Sequence, residues 1–279
     1  MQLFDRIYSL SIGKDNTVTT FDALRFSFAV SSDDTKNTNT ADLTIYNLSK
    51  EHLGLLEEKN TYIIIKVGYS NELSTLFRGD IVEYENSHNA PDTLVKIKAR
   101  DGYTALSEKK ISLSFAENSN TKQIIDKIVS ELNFTKSSYL SMPSFVYKQG
   151  FSFVGLVGNA LDKILSRVKY EWVVINNALI ISEPNKSPTT HEAQLLTPQT
   201  GLLSMPERFK ATKVKTKTAD TKLSDGWKFQ ALIIPSLQPK NLIKVQTNDI
   251  NAVFMIKSIA FLGDTHGNNW KCNIEAIKK

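Results

Sequence analysis

A β-patterned segment near the start of the chain has an echo near its end, and this repetition limits the fold more than any single motif. Ala41-Asp42-Leu43-Thr44-Ile45-Tyr46-Asn47-Leu48-Ser49 leads into Tyr62-Ile63-Ile64-Ile65-Lys66-Val67-Gly68-Tyr69 and then Leu76-Phe77-Arg78-Gly79-Asp80-Ile81. Toward the C-terminus, Asn241-Leu242-Ile243-Lys244-Val245 precedes Phe254-Met255-Ile256, Ile259 and Trp270-Lys271-Cys272-Asn273-Ile274-Glu275-Ala276. Val67 to Ala99 and Val245 to Ala276 span about 32 and 31 residues, and both close on Ile-x-Ala. The chain is therefore expected to begin and end with the same kind of β-unit.

Alternation supports that expectation. Phe26, Phe28 and Val30 alternate with Ser27 and Ala29, Leu43 and Ile45 flank Thr44, and Leu94, Val95, Ile97 and Ala99 form a further strand. Asp33 to Asn39 reads as a polar loop and Asn86 to Asp92 as a turn. Ser49 suits the cap of a short helix carrying Leu53, Leu55 and Leu56, expected to plug one end of the first unit.

The middle of the chain changes period from two to about 3.6. Asn120, followed by Gln123, predicts a capped helix with Ile124, Ile125, Ile128, Val129 and Leu132 on one face. A second helix is expected to start near Ser152 and run through Val157, Ala160, Leu161, Ile164, Leu165 and Val168. Asn176-Asn177 between two apolar runs predicts a hairpin, because asparagine tolerates the positive φ of a type I′ turn. Further strands are predicted around Phe209 to Thr216, Trp227 to Ile234, Ile243 to Thr247, Val253 to Ile259 and Trp270 to Ala276. The fold class that follows is mainly β with a small α/β insertion: an N-terminal β-unit over 1–104, an α/β module with two helices and a hairpin over 105–186, and a C-terminal β-unit over 187–279.

Composition narrows function by exclusion. The 279 residues are 41% hydrophobic and 23% charged, enough for real cores in two or three domains. No apolar run approaches the roughly 20 residues a spanning helix needs, so no membrane anchor is expected. Met1-Gln2-Leu3-Phe4-Asp5-Arg6 lacks the basic stretch and apolar core of a secretory leader, which sets the expectation of synthesis in the cytoplasm. Cys272, the single cysteine, excludes an internal disulfide and reads as a small core residue.

A formal charge of +5 allows an acidic partner without requiring one. Lys213, Lys215 and Lys217 share one strand face and, with Lys210, form the densest basic stretch; the face reads either as solvated and edge-protecting or as a candidate protein-contact surface. Gly263-Asp264-Thr265-His266-Gly267 places an aspartate and a histidine at metallophosphatase-like spacing, but the further ligands such enzymes use downstream are missing, so a glycine-bounded hairpin loop is expected. His52, His88 and His191 lie apart, and no nucleophile elbow, P-loop or dinucleotide fingerprint is present. No catalytic residue, cofactor or metal is therefore assigned.

Taken in order, Ala41 to Leu48, Val67-Gly68-Tyr69, Leu76 to Ile81, Tyr170-Glu171-Trp172, Thr200-Gly201-Leu202-Leu203, Ile234-Pro235-Ser236-Leu237-Gln238-Pro239 and Gly263-Asp264 before Trp270 resemble the baseplate hub proteins of tailed bacteriophages and related contractile injection machines. The resemblance covers nearly the whole chain. It implies two tail-tube-like antiparallel β-barrel domains flanking the α/β module, and a homotrimer whose doubled units make a pseudo-six-fold ring. It further implies a virion tail baseplate assembled in the bacterial host cytoplasm. Expected partners are a tail tube or distal tail protein, a central spike, other baseplate proteins and a tape-measure protein, with DNA crossing the lumen without specific binding. Pro239-Lys240 stands where that family usually has Pro-Gly, and no fused lysozyme or spike segment is recognisable. The competing classes are a peptidoglycan-degrading tail enzyme and a nucleic-acid or glycan-binding module.

Overall fold

The computed structural model describes residues 5–15, 17–35, 38–70, 72–132, 134–136, 142–184, 186–187, 193–210 and 225–279. The first unit contains β1 (Arg6–Lys14), β2 (Thr17–Phe21), β3 (Phe26–Asp33), β4 (Thr40–Tyr46), α1 (Lys50–Leu56), β5 (Thr61–Tyr69), β6 (Glu72–Asn89) and β7 (Asp92–Arg100). A π-helical turn at Thr104–Glu108 leads into β8 (Lys110–Phe115), β9 (Ser119–Asn120), α2 (Thr121–Leu132), β10 (Thr135–Lys136), β11 (Val146–Tyr147), β12 (Phe151–Leu156), α3 (Val157–Val168), β13 (Glu171–Ile175) and β14 (Ala178–Ser182). The last segment holds β15 (Gln194–Leu196), β16 (Glu207–Lys210), β17 (Asp225–Leu232), β18 (Leu242–Gln246), β19 (Asn251–Asp264) and β20 (Trp270–Lys278). The fold is mainly β with a small α/β insertion, and no helix among the described residues is long and apolar enough to cross a membrane.

Local chemistry explains the helices. Ser49 Oγ accepts from the His52 amide and caps α1, whose Leu56 is buried while Leu53 and Leu55 pack against the core. Asn120 and Gln123 cap α2 reciprocally, each amide donating to the other's side-chain oxygen at 2.9 and 3.0 Å. Asn176 and Asn177 take φ of 53° and 64°, as the hairpin between β13 and β14 requires. Two expectations need correction. Ser152 lies in β12, which pairs antiparallel with β8, and the helix begins only at Val157; Phe151 is buried and the strand's amides are satisfied by β8, so extended backbone wins over the helical pattern that follows. Asn86 to Asn89 continue β6, which leaves only Ala90 and Pro91 as the turn to β7.

Strands from both ends of the chain join in one 13-stranded sheet, ordered β16-β17-β20-β19-β3-β4-β7-β6-β5-β1-β2, with β18 on the first half of β19 and β15 beside β18. The echo in the sequence is a repeated ladder. In the first unit Ala41 faces Ala99 and Leu43 faces Ile97; in the last, Trp227 faces Ala276 and Phe229 faces Ile274. Each long middle strand bulges at the same rung, between Ile81 and Glu83 opposite Ala99 and Lys98, and between Ile256 and Ser258 opposite Ala276 and Glu275. Counting rungs makes Ile65, not Val67, the counterpart of Val245, because Ile65 faces Phe77 across a longer hairpin, with Leu76 bulging from β6, while Val245 faces Ala252 across a shorter one.

The seam between the units is the pairing of β3 with β19, from Ser27 opposite Asp264 to Asp33 opposite Ser258. One hydrophobic cluster runs through both units, including Phe26, Phe28, Ile97, Phe229, Phe261 and Trp270; a second, built on α2, α3 and β12 to β14, serves the middle module. Phe28 crosses the seam to lie over Gly263, where a Cβ would come within 2.2 Å of its ring, and meets Trp270 edge-on at 5.9 Å.

Candidate assembly surfaces

Directly opposed residues of antiparallel strands lie on the same side of a sheet, so the registers define its two faces. On one face Lys228 stands opposite Glu275, Gln230 opposite Asn273, Ala260 opposite Asn273, Ser31 opposite Ala260, Ala29 opposite Asp42, and Asp42 opposite Lys98, which is also opposite Glu83. The result is a mainly polar face that crosses both units, with Ser31, Asp33, Ser258, Ser27 and Asp264 beside Ala29, Ala260 and Leu262 at the seam. Three lysines of this face are matched across strands, Lys98 to Glu83 at 2.9 Å, Lys96 to Glu85 at 4.0 Å and Lys228 to Glu275 at 3.2 Å, with Gln230 donating to Asn273 at 3.0 Å, while Lys271 stands opposite Leu232 and Leu262. Exposed pairs of this kind add little stability, but they cancel the field that unopposed lysines would create.

The middle module is held to this platform by one buried charged residue from each unit. Asp101, directly after β7, accepts from the amides of Asn176 and Asn177, satisfying both donors at the tip of the β13–β14 hairpin. Asn39 reinforces the junction: its carbonyl accepts from the Asp101 amide at 2.9 Å and its Nδ2 donates to Val174 O at 3.3 Å. Arg78 adds its amide to Asn176 Oδ1 at 2.9 Å, and Asp80 Oδ2 accepts from the Thr104 amide at 2.8 Å. Burial pushes the Asp101 carboxyl up to about 7, against the pull of its amide donors.

Lys240 is the counterpart from the last unit. It adopts φ of 68°, the left-handed conformation that makes glycine usual after such a proline. Its side chain is only 2% exposed, and Nζ donates to Ser182 Oγ at 2.8 Å and reaches Glu171 Oε2 at 3.5 Å. The departure from Pro-Gly thus places an ammonium against β13 and β14.

Lys213, Lys215 and Lys217 lie outside the described residues, as does His191. His52 packs edge-on against Phe21 at 4.9 Å, and His88 sits at the far end of β6 beside Thr93. In the loop between β19 and β20, Asp264 Oδ1 accepts from the amides of His266 and Gly267, both at 2.9 Å, so its carboxylate serves the turn. Among the described residues no group of three or more His, Cys, Asp or Glu side chains converges as a metal site. Two clefts each hold two carboxylates: in one Asp33 accepts from Thr35 while Glu275 is engaged by Lys228 and Ser258, and in the other, which holds Asp15 and Glu58, Glu58 is paired with Lys14 at 2.7 Å. Cys272 is fully buried and its thiol is pushed up to about 12 by burial, which keeps it protonated.

Sequence reasoning missed Asp101, Asn39 and the role of Lys240. A signal was present: the two turn amides of Asn176 and Asn177 need an acceptor, and Lys240 stands in a glycine position.

A family model described as "Baseplate hub gp41" matches residues 29–252. In fold, the chain is similar to the 43 kDa tail protein of prophage MuSo2 from Shewanella oneidensis, with a TM-score of 0.64 and 10% identity over 96% of each chain. It is similar also to a tail protein from Neisseria meningitidis MC58, with a TM-score of 0.61 and 11% identity over 98% of this chain and 96% of that one. An Escherichia coli component of the type VI secretion system, described as structurally similar to the T4 bacteriophage tail proteins gp27 and gp5, gives a TM-score of 0.60 and 11% identity over 97% of this chain and 76% of its own. No curated protein matches in sequence.

Proposed function

The chain belongs to the baseplate hub gp41 family, whose role is structural and lies in the phage tail baseplate, and on that premise we propose that three copies close into a ring joining a hexameric tail tube to a three-fold spike. Each copy contributes two equivalent β-units, 1–104 and 187–279, so three chains present six near-equivalent positions to the tube and three to the spike. The α/β module, 105–186, sits to one side as a bracket rather than as a catalytic domain.

The observation that carries this reading is the repeated ladder, with its bulge at the same rung in both units and a seam that joins them edge to edge. A ring needs this geometry, because an open sheet edge is an invitation to further pairing and closure removes it. The mainly polar face supports a channel lining. Three of its lysines, Lys96, Lys98 and Lys228, are paired with carboxylates, which lowers its attraction for a polyanion and suits passage without tight retention.

The test is the assembly mass of the purified protein by light scattering, with negative-stain averages of the same peak. A three-fold ring with a central opening is expected. A monomer that stays monomeric when mixed with tube and spike proteins overturns the reading.

A further inference from the structure

We propose that the ring is closed by β6 of one copy pairing antiparallel with β16 of the next, in a register that places Tyr84 opposite Lys210, Glu85 opposite Phe209, Asn86 opposite Arg208 and Ser87 opposite Glu207. The proposal rests on the ring proposed above and adds the contact that closes it.

The chain already makes this junction once, within itself. In β19 the first half pairs with β18 and the second half, Ser258 to Asp264, pairs with β3. In β6 the first half pairs with β5, but the outer edge of Glu83 to Asn89 carries no strand among the described residues. Because Ile81 and Ile256 share the bulge rung, Glu83 to Asn89 correspond to Ser258 to Asp264. The other half of the junction is identified in the same way. Val30 faces Ala41 and Ala41 faces Ala99; Arg208 faces Trp227 and Trp227 faces Ala276. Arg208 is therefore the counterpart of Val30, and β16 of β3. Like the outer edge of β6, the outer edge of β16 ends the sheet among the described residues.

Transferring the Phe261–Val30 rung gives Asn86 opposite Arg208, and the other rungs follow. The exposed side chains agree with a seam awaiting its partner. Val82 and Tyr84 are 40% and 37% exposed on β6, and Leu203 and Met205 are exposed just before β16, whereas Ile259, the counterpart of Tyr84, is 2% exposed under β3. The polar face also continues across the junction: Glu85, paired with Lys96, meets Phe209, over whose ring Lys228 Nζ lies at 5.0 Å. Closure through a second copy satisfies two open edges with one contact, and replacing Phe261 and Val30 by Asn86 and Arg208 fits a seam that must stay soluble before it closes.

Cysteine pairs test the register, and Cys272 does not interfere because it is buried. Directly opposed strand residues lie about 4.5–5.5 Å apart at Cα, within reach of a disulfide, while residues one position off point to opposite faces. The variant N86C/R208C is expected to give at least tenfold more intermolecular disulfide than N86C/F209C on mild oxidation, with bands up to the closed ring. Hydrogen exchange on the unmodified protein guards against variants that fold poorly: amides in Glu83 to Ser87 should slow at least tenfold between dilute monomer and assembly. A ring that forms without either signal overturns the pairing and leaves the ring standing. A protein that remains monomeric, without either signal, overturns both.

Discussion

Ile259 and Phe261 in β19 occupy the same rungs as Tyr84 and Asn86 in β6, yet the first two are 2% and 3% exposed beneath β3 while Tyr84 stands at an open edge. The ladder, its bulge and the flanking Ile-x-Ala are common to both units. What differs is whether the chain covers the edge itself. Where it does, the rung carries large apolar side chains; where it does not, tyrosine and asparagine replace them, since an uncovered apolar edge aggregates. The units differ likewise in how they grip the middle module: the first uses a carboxylate, Asp101, the second an ammonium, Lys240.

The largest effect should come from the covered rung. Phe261→Ala is expected to cost about 3–5 kcal/mol in denaturant unfolding, as large-to-small changes in packed cores do, whereas Asn86→Ala should shift the free subunit by less than about 0.5 kcal/mol, as surface changes do. Equal losses at the two rungs would break the comparison.

Asp101→Asn comes next. An asparagine amide cannot accept from both turn amides, so a loss of about 1–3 kcal/mol is expected near pH 8. The pH profile carries the sign. The folded state holds a proton on Asp101 up to about pH 7 while the unfolded chain releases it near 3.8, so this group makes stability fall as pH rises through that window and level off above it. Urea unfolding of both proteins from pH 4 to 8 should show that downward contribution in the native protein and not in the variant; parallel profiles would remove Asp101 from the account.

Lys240 separates side chain from backbone. Lys240→Met keeps the left-handed backbone and loses the bond to Ser182, for an expected cost of about 1–2 kcal/mol. Lys240→Gly loses the same bond but relieves the positive φ, worth about 1 kcal/mol, and should be the milder change by thermal unfolding. If glycine is the worse of the two, the backbone argument fails. Smallest of all, Lys98→Met on the polar face should leave the unfolding midpoint unchanged, because its pair with Glu83 is exposed; a marked loss would show the face to be structural rather than a lining.

Much of the architecture was legible because it is written in short-range signals. Alternation at Phe26, Phe28 and Val30 marks a strand, the Asn120 and Gln123 pair marks a helix start, and Asn176-Asn177 marks a turn, each through contacts within a few residues. β12 was misread because its helical neighbour follows without a break and the competing evidence, β8, lies some forty residues upstream. The candidate surfaces were less legible. Asp101 lies 75 residues from the turn it supports, and Lys240 58 residues from Ser182, so neither pairing has a local signature.

By itself the sequence determined the fold class, the doubled β-unit and the resemblance to baseplate hubs, because periodicity, caps and turn residues act locally and survive without a partner. Only the tertiary structure decided that both units share one sheet, which residues make its polar face, which buried charges anchor the middle module and that the outer edges of β6 and β16 are open among the described residues. Those depend on register, and a register is set by strands far apart in the chain, where a shift of one residue would move every side chain to the opposite face.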